Sequence, residues 1–473
     1  MPPLLASVLY FIFLVHLFLV ERKQNDGTSK ALWIPLTWMF LAGSRYVSRW
    51  LDLGSTMNAI EAYEEGSSVD RFVFSALIAA GAFVLFRRRF SLVRLLSQNK
   101  WTCLYWLFAI ISISWSPDAF VSFKRLIRGF GNVVMALVML TEPRPFLAVG
   151  AVLRRLAFLA LPLSVLFIKY YPEMGRAYHR ETPMFTGVAL HKNTLGQVCL
   201  LTGIYFCWSL LYKPGVRQKL GGPLRLPTEV VFLAMITWLM SIADSATSLV
   251  SLVVAICVLA VGRLGRFTKA PRQLFTVSVV TILLVSVLQT TFDIKGSVIE
   301  MVGRRPDLTT RVPMWEDLLA AAPDPVVGAG YDIFWNTEAG RAASERWEVG
   351  QAHNGYLELY LSLGVVGLVI LAGGILSGLF QIRRDLTGDY AAAVLKLAIV
   401  PTVVVYNWTE ATFSGVSNMW LILCLGIFDL TGVVSLDAVP QATQHKGSQS
   451  TPALSLKRNP LHVVRRVPFA THK

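Results

Sequence analysis

Long apolar runs separated by short polar segments occupy almost the whole of this chain. An α-helix rises 1.5 Å per residue, so about 20 apolar residues cross the roughly 30 Å hydrocarbon core of a bilayer. The apolar runs lie at residues 4–20, 31–43, 71–86, 101–115, 126–141, 152–171, 194–212, 228–243, 246–262, 273–290, 354–380, 391–408 and 412–432. Several are shorter than a full crossing, so the pattern predicts twelve or thirteen transmembrane helices.

The composition agrees with a membrane protein. Of 473 residues, 54% are hydrophobic and only 15% are charged, and the mean hydropathy is +0.54. A soluble domain cannot bury this much apolar surface in one core. We therefore predict an all-α fold, a polytopic membrane helical bundle. The first run lacks a basic segment before it and a small-residue cleavage site after it, so we expect a retained helix instead of a signal peptide.

The net charge of +15 comes from basic clusters between the apolar runs. The clusters are "FRRRFSLVR" (86–94), "KPGVRQK" (213–219), "GRLGRFTKAPR" (262–272), "IRRD" (382–385) and a basic C-terminal tail. Basic loops stay on the cytoplasmic side, and counting crossings from these clusters gives one consistent topology. The charge is therefore explained without a nucleic-acid partner.

Two loops then face outward, at residues 172–193 and 291–353. The second carries ten acidic and six basic residues, the opposite bias to the cytoplasmic clusters. We expect it to form a small periplasmic cap with short helices, one of them at 309–321. Residues 1–432 form the predicted membrane domain, and the polar, basic composition of residues 433–473 predicts a disordered cytoplasmic tail.

Several classes of activity lack their signatures in this sequence. There is no phosphate-binding Walker loop, no dinucleotide glycine fingerprint, no HExxH and no Asp-x-Asp of the nucleotide-sugar type. The five cysteines all lie within apolar runs, without metal-type spacing, and are expected to be packing residues. These observations argue against an ATP-driven pump and a soluble-type nucleotide-sugar transferase.

Polar residues open one of the longest apolar runs, in "QAHNGYLELYLSLG" (351–364). On a helix that begins at His353, this residue shares a face with Leu357 and Tyr360, and a polar residue in a packing seam is the plain alternative. Glu358 would lie roughly 7 Å deeper, where an unpaired charge costs about 2.5–3.5 kcal/mol. We therefore expect Glu358 to contact a cationic partner or a water-filled cavity.

The two outward loops supply cations and aromatic side chains. The candidate cations are Arg176, His179, Arg180, His191 and Lys192 in the shorter loop, and Arg304, Arg305 and Arg311 in the longer one. Loop arginines also pair with lipid headgroups or with acidic neighbours. The longer loop adds Trp315, Trp335 and Trp347, which suit either membrane-interface anchors or the apolar face of a sugar ring.

These segments resemble a known family. "HNGYLELYLSLGVVG" is similar to the signature of the O-antigen ligase and polysaccharide polymerase superfamily of bacterial inner-membrane proteins, in which a histidine–asparagine pair follows a large periplasmic loop. "TTRVPMWEDLL" (309–319) resembles the family's Arg-x-x-x-Trp motif, although Thr310 stands where glycine is common. "SWSPDAFVSFKRLIRG" (114–129) and "GVALHKNTLG" (187–196) resemble the exopolysaccharide-polymerase branch. The resemblance covers roughly residues 100–430.

The resemblance implies transfer of a glycan from an undecaprenyl-diphosphate-linked oligosaccharide to a hydroxyl of an acceptor glycan, on the periplasmic side of the inner membrane. The diphosphate already activates the donor, so no cofactor and no metal are expected. In this reaction Arg311 binds the leaving diphosphate through its planar fork, and His353 is the general base. The expected substrate-binding residues are Arg176, Arg180, Lys192, Asn354, Glu358 and Trp315. Asn354 suits either a sugar hydroxyl or a helix cap.

Polymerisation of exopolysaccharide repeat units is the expected function. The alternatives are an O-antigen or lipopolysaccharide ligase of the same superfamily and, from other classes, a membrane lipid or glycan transporter or a non-catalytic export subunit. Membrane lipid and polysaccharide export or chain-length proteins are further candidate partners. A transporter is expected to tolerate loss of His353, and a transferase is not.

Overall fold

A computed structural model describes residues 1–24, 27–51, 67–88, 90–179, 182–212, 227–292, 311–431 and 433. Among the predicted features, Arg180, the arginines at 304 and 305, the first part of the longer outward loop and the tail after residue 433 lie outside the described residues.

The described chain is almost entirely helical, as predicted. Its N-terminal half contains α1 (Pro3–Gln24), α2 (Trp33–Gly43), α3 (Val47–Trp50), α4 (Ser68–Arg87), α5 (Leu92–Gln98), α6 (Lys100–Ile111), α7 (Ala119–Leu140), α8 (Pro145–Tyr170), α9 (Pro172–Gly175) and α10 (Lys192–Tyr212). Its C-terminal half contains α11 (Thr228–Ala243), α12 (Ala246–Arg263), α13 (Gly265–Lys269), α14 (Pro271–Phe292), α15 (Arg311–Ala320), α16 (Glu338–Trp347), α17 (Gly355–Asp385), α18 (Tyr390–Tyr406) and α19 (Asn418–Ile427). Short 3₁₀ turns occur at Lys30–Leu32, Ser112–Trp115 and Phe334–Asn336.

Every predicted apolar run contains a helix, although in the run 412–432 only Asn418–Ile427 is helical. Six described helices are long and apolar enough to cross a membrane, and three shorter ones, α11, α18 and α19, are equally apolar. The all-α multi-pass membrane fold is thereby confirmed, while the total of twelve or thirteen crossings stays a prediction. Helices α8, α10 and α18 bury most of their residues and form the centre of the bundle. Helix α1 exposes most of its large apolar side chains, as expected for a surface that contacts lipid.

The shorter outward loop contains the one sheet of the described residues, a small hairpin that the apolar pattern did not predict. Strand β1 (Arg176–His179) pairs antiparallel with β2 (Thr182–Phe185), with Arg176 opposite Phe185. Four-residue strands carry too few residues for an alternating pattern to stand out.

The long helix α17 is interrupted at Gly364, which corrects the prediction of one unbroken run to residue 380. Gly364 has φ +62° and ψ −165°, a conformation that glycine adopts readily because it has no Cβ. A Cβ at this position would lie 2.1 Å from the carbonyl oxygen of Val326. The sequence shows the glycine but not the approach of a distant backbone segment.

The segment 325–330 of the longer loop fills the break in α17 with its own backbone. An interrupted helix leaves carbonyl and amide groups without intrahelical partners, and in a membrane domain other protein groups must satisfy them. Here the segment donates to two carbonyls and accepts from two amides. The four hydrogen bonds are Ala329 N to Leu361 O (3.0 Å), Gly330 N to Ser362 O (2.9 Å), Val365 N to Pro325 O (3.0 Å) and Val366 N to Val326 O (3.1 Å).

We predict that Gly364→Ala destabilises the protein strongly. The new methyl would clash with a backbone oxygen that cannot move away, and alanine is disfavoured at positive φ. Backbone strain and overpacking together are expected to lower the free energy of unfolding by about 3 kcal/mol or more. The measurement is the thermal unfolding midpoint in detergent, which should fall. Gly374→Ala is the matched control, because its nearest neighbour, Trp101 Cβ, lies 3.8 Å from the added carbon. Equal midpoints for the two variants would contradict the prediction.

Candidate functional site

His353 lies before helix α17 and not in its first turn, so the prediction that it begins the helix is wrong. The helix begins at Gly355, and Asn354 is its N-cap: Asn354 Oδ1 accepts the N–H of Tyr356 (3.0 Å) and of Leu357 (3.2 Å). An asparagine in this position satisfies backbone donors that the helix leaves open. His353 therefore does not share a helix face with Leu357, and of the two roles considered for Asn354 the structure shows the cap.

The backbone of His353 is strained. Its φ is +50°, in the left-handed region, which costs a non-glycine residue about 1–3 kcal/mol. Neighbouring contacts hold the backbone on both sides of it. Ala352 donates its N–H to Glu358 Oε2 (2.9 Å) and accepts the indole N–H of Trp315 at its carbonyl oxygen (2.8 Å), and Gly355 N donates to Asn407 O (2.8 Å). We call residues 351–354 the His353 loop.

Glu358 accepts hydrogen bonds from the protein at both of its carboxylate oxygens. Oε1 accepts the indole N–H of Trp335 (2.5 Å), and Oε2 accepts the N–H of Ala352. The described hydrogen-bond partners are thus two neutral N–H groups and not a cation, which was one of the two expected alternatives. Glu358 also lines a small cavity with Tyr105, Tyr331, Asp332 and Ser414, among others, which agrees with the expected cavity in position.

Helix α15 connects the cap to the membrane domain through two predicted site residues. The helix predicted at 309–321 is observed at Arg311–Ala320. Arg311 is its first residue and donates from Nη1 to the carbonyl oxygen of Thr409 (2.8 Å). Trp315 follows one turn later on the same face and donates to Ala352 O. One face of this helix therefore contacts both the His353 loop and residue 409.

The polar linker at residues 407–412 joins these parts of the site. Its carbonyl groups accept from Gly355, at Asn407, and from Arg311, at Thr409. A Cβ at Gly355 would lie 2.1 Å from Asn407 Oδ1, so only glycine permits this close approach. The first residues of α17 and α15 are consequently both hydrogen-bonded to this linker, at carbonyl groups that are two residues apart.

The same linker reaches helices α10 and α12. Glu410 is only 8% exposed, and its Oε1 accepts from Asn193 Nδ2 (2.8 Å). The hydroxyl of Thr409 is 2.7 Å from that of Thr247. The sequence analysis missed this linker because the predicted runs 391–408 and 412–432 overlap both of its ends and leave only residues 409–411 as an ordinary loop. The signal present in the sequence was Glu410, a carboxylate between two predicted spans.

The cations of the shorter outward loop have other partners. Arg176 donates from Nη2 to Ile168 O (3.0 Å), and its guanidinium lies over the Phe185 ring. Lys192 is 3.6 Å from a carboxylate oxygen of Asp244, with the lysine half-buried and the aspartate exposed. Lys192 is nevertheless adjacent to Asn193, which contacts the linker. Partial desolvation lowers the pKa of His191, a shift that disfavours the charged imidazolium.

Two further arginines that the sequence analysis did not assign lie close to the cavity. Arg125 donates from Nη1 to the carbonyl oxygen of Asp332 (2.5 Å). Burial raises the pKa of the Asp332 carboxyl, and Arg125, Arg128 and the hydroxyl of Ser414 partly oppose this rise. Both arginines belong to the segment 114–129 that carries the family resemblance, but only the fold shows that they face residue 332.

The structure thus brings His353, Arg311, Trp315, Asn354 and Glu358 into one bonded cluster, and Glu358 also lines the small cavity. It leaves Arg176 with its own hairpin and places Lys192 next to the cluster. An all-helical multi-pass membrane protein with a polar cluster under a cap is the class that this fold and site define.

Comparison with known proteins shows which family this chain resembles. Residues 230–372, which include Arg311, His353 and Glu358, match the family described as O-antigen ligase. The chain is also 26% identical over 311 residues to the exopolysaccharide production protein ExoQ of Rhizobium meliloti (strain 1021), an alignment that covers 61% of this chain and 66% of that protein, slightly under two thirds. The resemblance to the O-antigen ligase superfamily, near its exopolysaccharide branch, is confirmed. Both matches support a function of the polysaccharide ligase or polymerase type.

Proposed function

We propose that this protein is a membrane glycosyltransferase of the bacterial inner membrane that polymerises exopolysaccharide repeat units on the periplasmic side. The donor is an undecaprenyl-diphosphate-linked oligosaccharide, and the acceptor is a hydroxyl of a second glycan. The observation that carries the proposal is the linker 407–412, which holds Arg311 and the start of helix α17, two residues after His353, through carbonyl groups of Asn407 and Thr409. A cation for the leaving group and a base for the acceptor are needed at opposite sides of one reacting carbon.

The proposed reaction is a displacement at the anomeric carbon of the donor. The acceptor oxygen forms a bond to this carbon while the bond to the diphosphate oxygen breaks and its electron pair stays with the diphosphate. His353 removes the proton of the acceptor hydroxyl as the new bond forms. Its position at the positive end of helix α17 disfavours the imidazolium form and so keeps the ring able to accept a proton.

Arg311 stabilises the negative charge that develops on the diphosphate. A planar guanidinium matches phosphate oxygens in a fork geometry that an ammonium group does not reproduce. Lys192 is the best supported additional cation, because it is adjacent to Asn193, which contacts the linker at Glu410. The predicted binding roles of Arg176 and Arg180 stay predictions.

The polymerase and ligase alternatives predict different products in cells. We propose polymerisation because the relative is described as an exopolysaccharide production protein, while the description of the family match favours ligation. The test is mass analysis of lipid-linked glycans after deletion of the gene. Accumulation of single repeat units supports polymerisation, and accumulation of long lipid-linked polymers supports ligation. If the lipid-linked glycans are unchanged after the deletion, both the polymerase and the ligase alternatives are wrong.

We expect the purified protein to transfer glycan from a diphosphate lipid in the presence of EDTA and without nucleotide. The donor is activated by its own leaving group, and the proposed charge stabilisation comes from Arg311. The measurement is product formation by chromatography, with a parallel reaction that contains Mg²⁺. Activity that disappears with EDTA and returns when Mg²⁺ is added back would contradict a metal-independent reaction.

A further inference from the structure

We propose that Glu358 is a positioning residue that fixes the strained backbone of His353 and thereby the direction of its imidazole. This inference rests on the proposed role of His353 as general base and extends it to a second residue. Glu358 does not need to touch the substrate in this role. It acts through the peptide N–H of Ala352, one residue before the histidine.

The first step of the argument is the reach of the Glu358 side chain. Side chains of a helix point back toward its N-terminus, and Glu358 lies in the first turn of α17. It can therefore extend past the cap residue Asn354 and contact Ala352, six residues earlier. The observed distance from Ala352 N to Glu358 Oε2 is 2.9 Å.

The second step is that Glu358 itself is held in place. Its other oxygen, Oε1, accepts the indole N–H of Trp335 at 2.5 Å, and Trp335 is only 9% exposed. Trp335 follows the segment 325–330, whose backbone is bonded into the break of α17. The carboxylate is consequently fixed between a rigid indole and the peptide that it orients.

The third step is that the backbone around His353 is restrained from three sides. Glu358 binds the N–H of Ala352, Trp315 binds its carbonyl oxygen, and Gly355 is bonded to Asn407. His353 lies between these contacts at φ +50°, in a conformation that persists only where the surroundings impose it. Without the carboxylate, the Ala352 N–H loses its acceptor, and the histidine backbone is free to return to negative φ. The imidazole would then point in another direction.

Substitutions at Glu358 and Trp335 remove different hydrogen-bonding groups from this arrangement. Glu358→Gln keeps the size, but an amide has only one acceptor oxygen, so one of the two N–H donors faces an NH₂ group. We expect its kcat to fall about 10- to 100-fold, the scale of a small misplacement of a catalytic group, with the KM for the donor lipid unchanged. Trp335→Phe removes the indole N–H and keeps an aromatic ring, and a smaller fall in kcat is expected.

The test combines kinetics with a labelling measurement that does not depend on catalysis. The rate at which diethyl pyrocarbonate modifies His353 is followed by peptide mass spectrometry in the wild type, Glu358→Gln, Trp335→Phe and Glu345→Gln. Glu345 is an exposed acid on helix α16, so Glu345→Gln is the matched control. The expected result is a changed labelling rate in the first two variants only, together with their lower kcat.

A double variant separates positioning from a general loss of structure. In the His353→Ala background, Glu358→Gln is expected to cause no further loss of kcat, because the group that it positions is gone. Wild-type kcat and wild-type labelling in Glu358→Gln would overturn the inference while His353→Ala remains inactive. An active His353→Ala variant would instead overturn the proposed function. If Glu358→Gln does not accumulate, Trp335→Phe decides by the same two readouts.

Discussion

The His353→Ala variant is expected to lose about 10²- to 10⁴-fold in kcat while still inserting and folding. General-base catalysis typically contributes this factor, which corresponds to about 2.7–5.4 kcal/mol of transition-state stabilisation. The measurement is the rate of glycan transfer by purified protein from a diphosphate-lipid donor. The loss should appear in kcat, because the imidazole is proposed to act on the acceptor proton in the reaction step.

His353→Asn is the matched control for the backbone. Asparagine adopts positive φ more readily than most residues, so it keeps the conformation of the loop, and its amide cannot serve as a base. We expect His353→Asn to be as inactive as His353→Ala and at least as stable against heat. Near-normal transfer by either variant would mean that the base lies elsewhere.

The Arg311→Lys variant is expected to lose about 10²- to 10³-fold in kcat, the range found when one preorganised donor to a developing charge is removed. Lysine keeps the positive charge but loses the planar fork that matches phosphate oxygens. It also loses the guanidinium that is bonded to Thr409 O at 2.8 Å, so the charge is held less firmly. The measurement is again kcat with the diphosphate-lipid donor.

Arg346→Lys provides the comparison for Arg311→Lys. Arg346 belongs to the same cap, is 68% exposed and pairs with Asp317 at 2.8 Å, so the change to lysine should leave kcat within about two-fold, as for an exposed ion pair. Equal activity of the two variants would show that any cation at residue 311 suffices. The fork geometry would then have no part in the reaction.

The positions of the helices were predictable because hydropathy is a local signal. Each apolar run contains a helix, and the predicted run at 228–243 has the same bounds as α11. The interruption at Gly364 was not predictable, because a glycine within an apolar run also suits close helix packing. The hydrogen bonds that stabilise the break come from residues about 35 positions earlier, and no local pattern records them.

The candidate site was predictable in its residues and less so in their geometry. His353 and Arg311 were identified from short motifs, and the structure attaches both to one cluster. The asparagine after His353 is a recognisable helix-capping residue. If the cap had been preferred over a sugar contact, the sequence would have placed the histidine outside the helix. The partners of Glu358 and the linker 407–412 depend on chain segments far apart in the sequence, so only the fold reveals them.

The join between the segment 325–330 and the two halves of α17 consists of main-chain groups alone. Hydrogen bonds of this kind depend on the number of residues in the chain and on the positions of the glycines. They depend much less on which side chains are present. The cap should therefore be exchangeable as a module between related enzymes when the spacing from Gly328 to Gly364 is kept. A one-residue insertion within the segment 325–330, even of alanine, would shift the register of the join and displace Trp335 from Glu358.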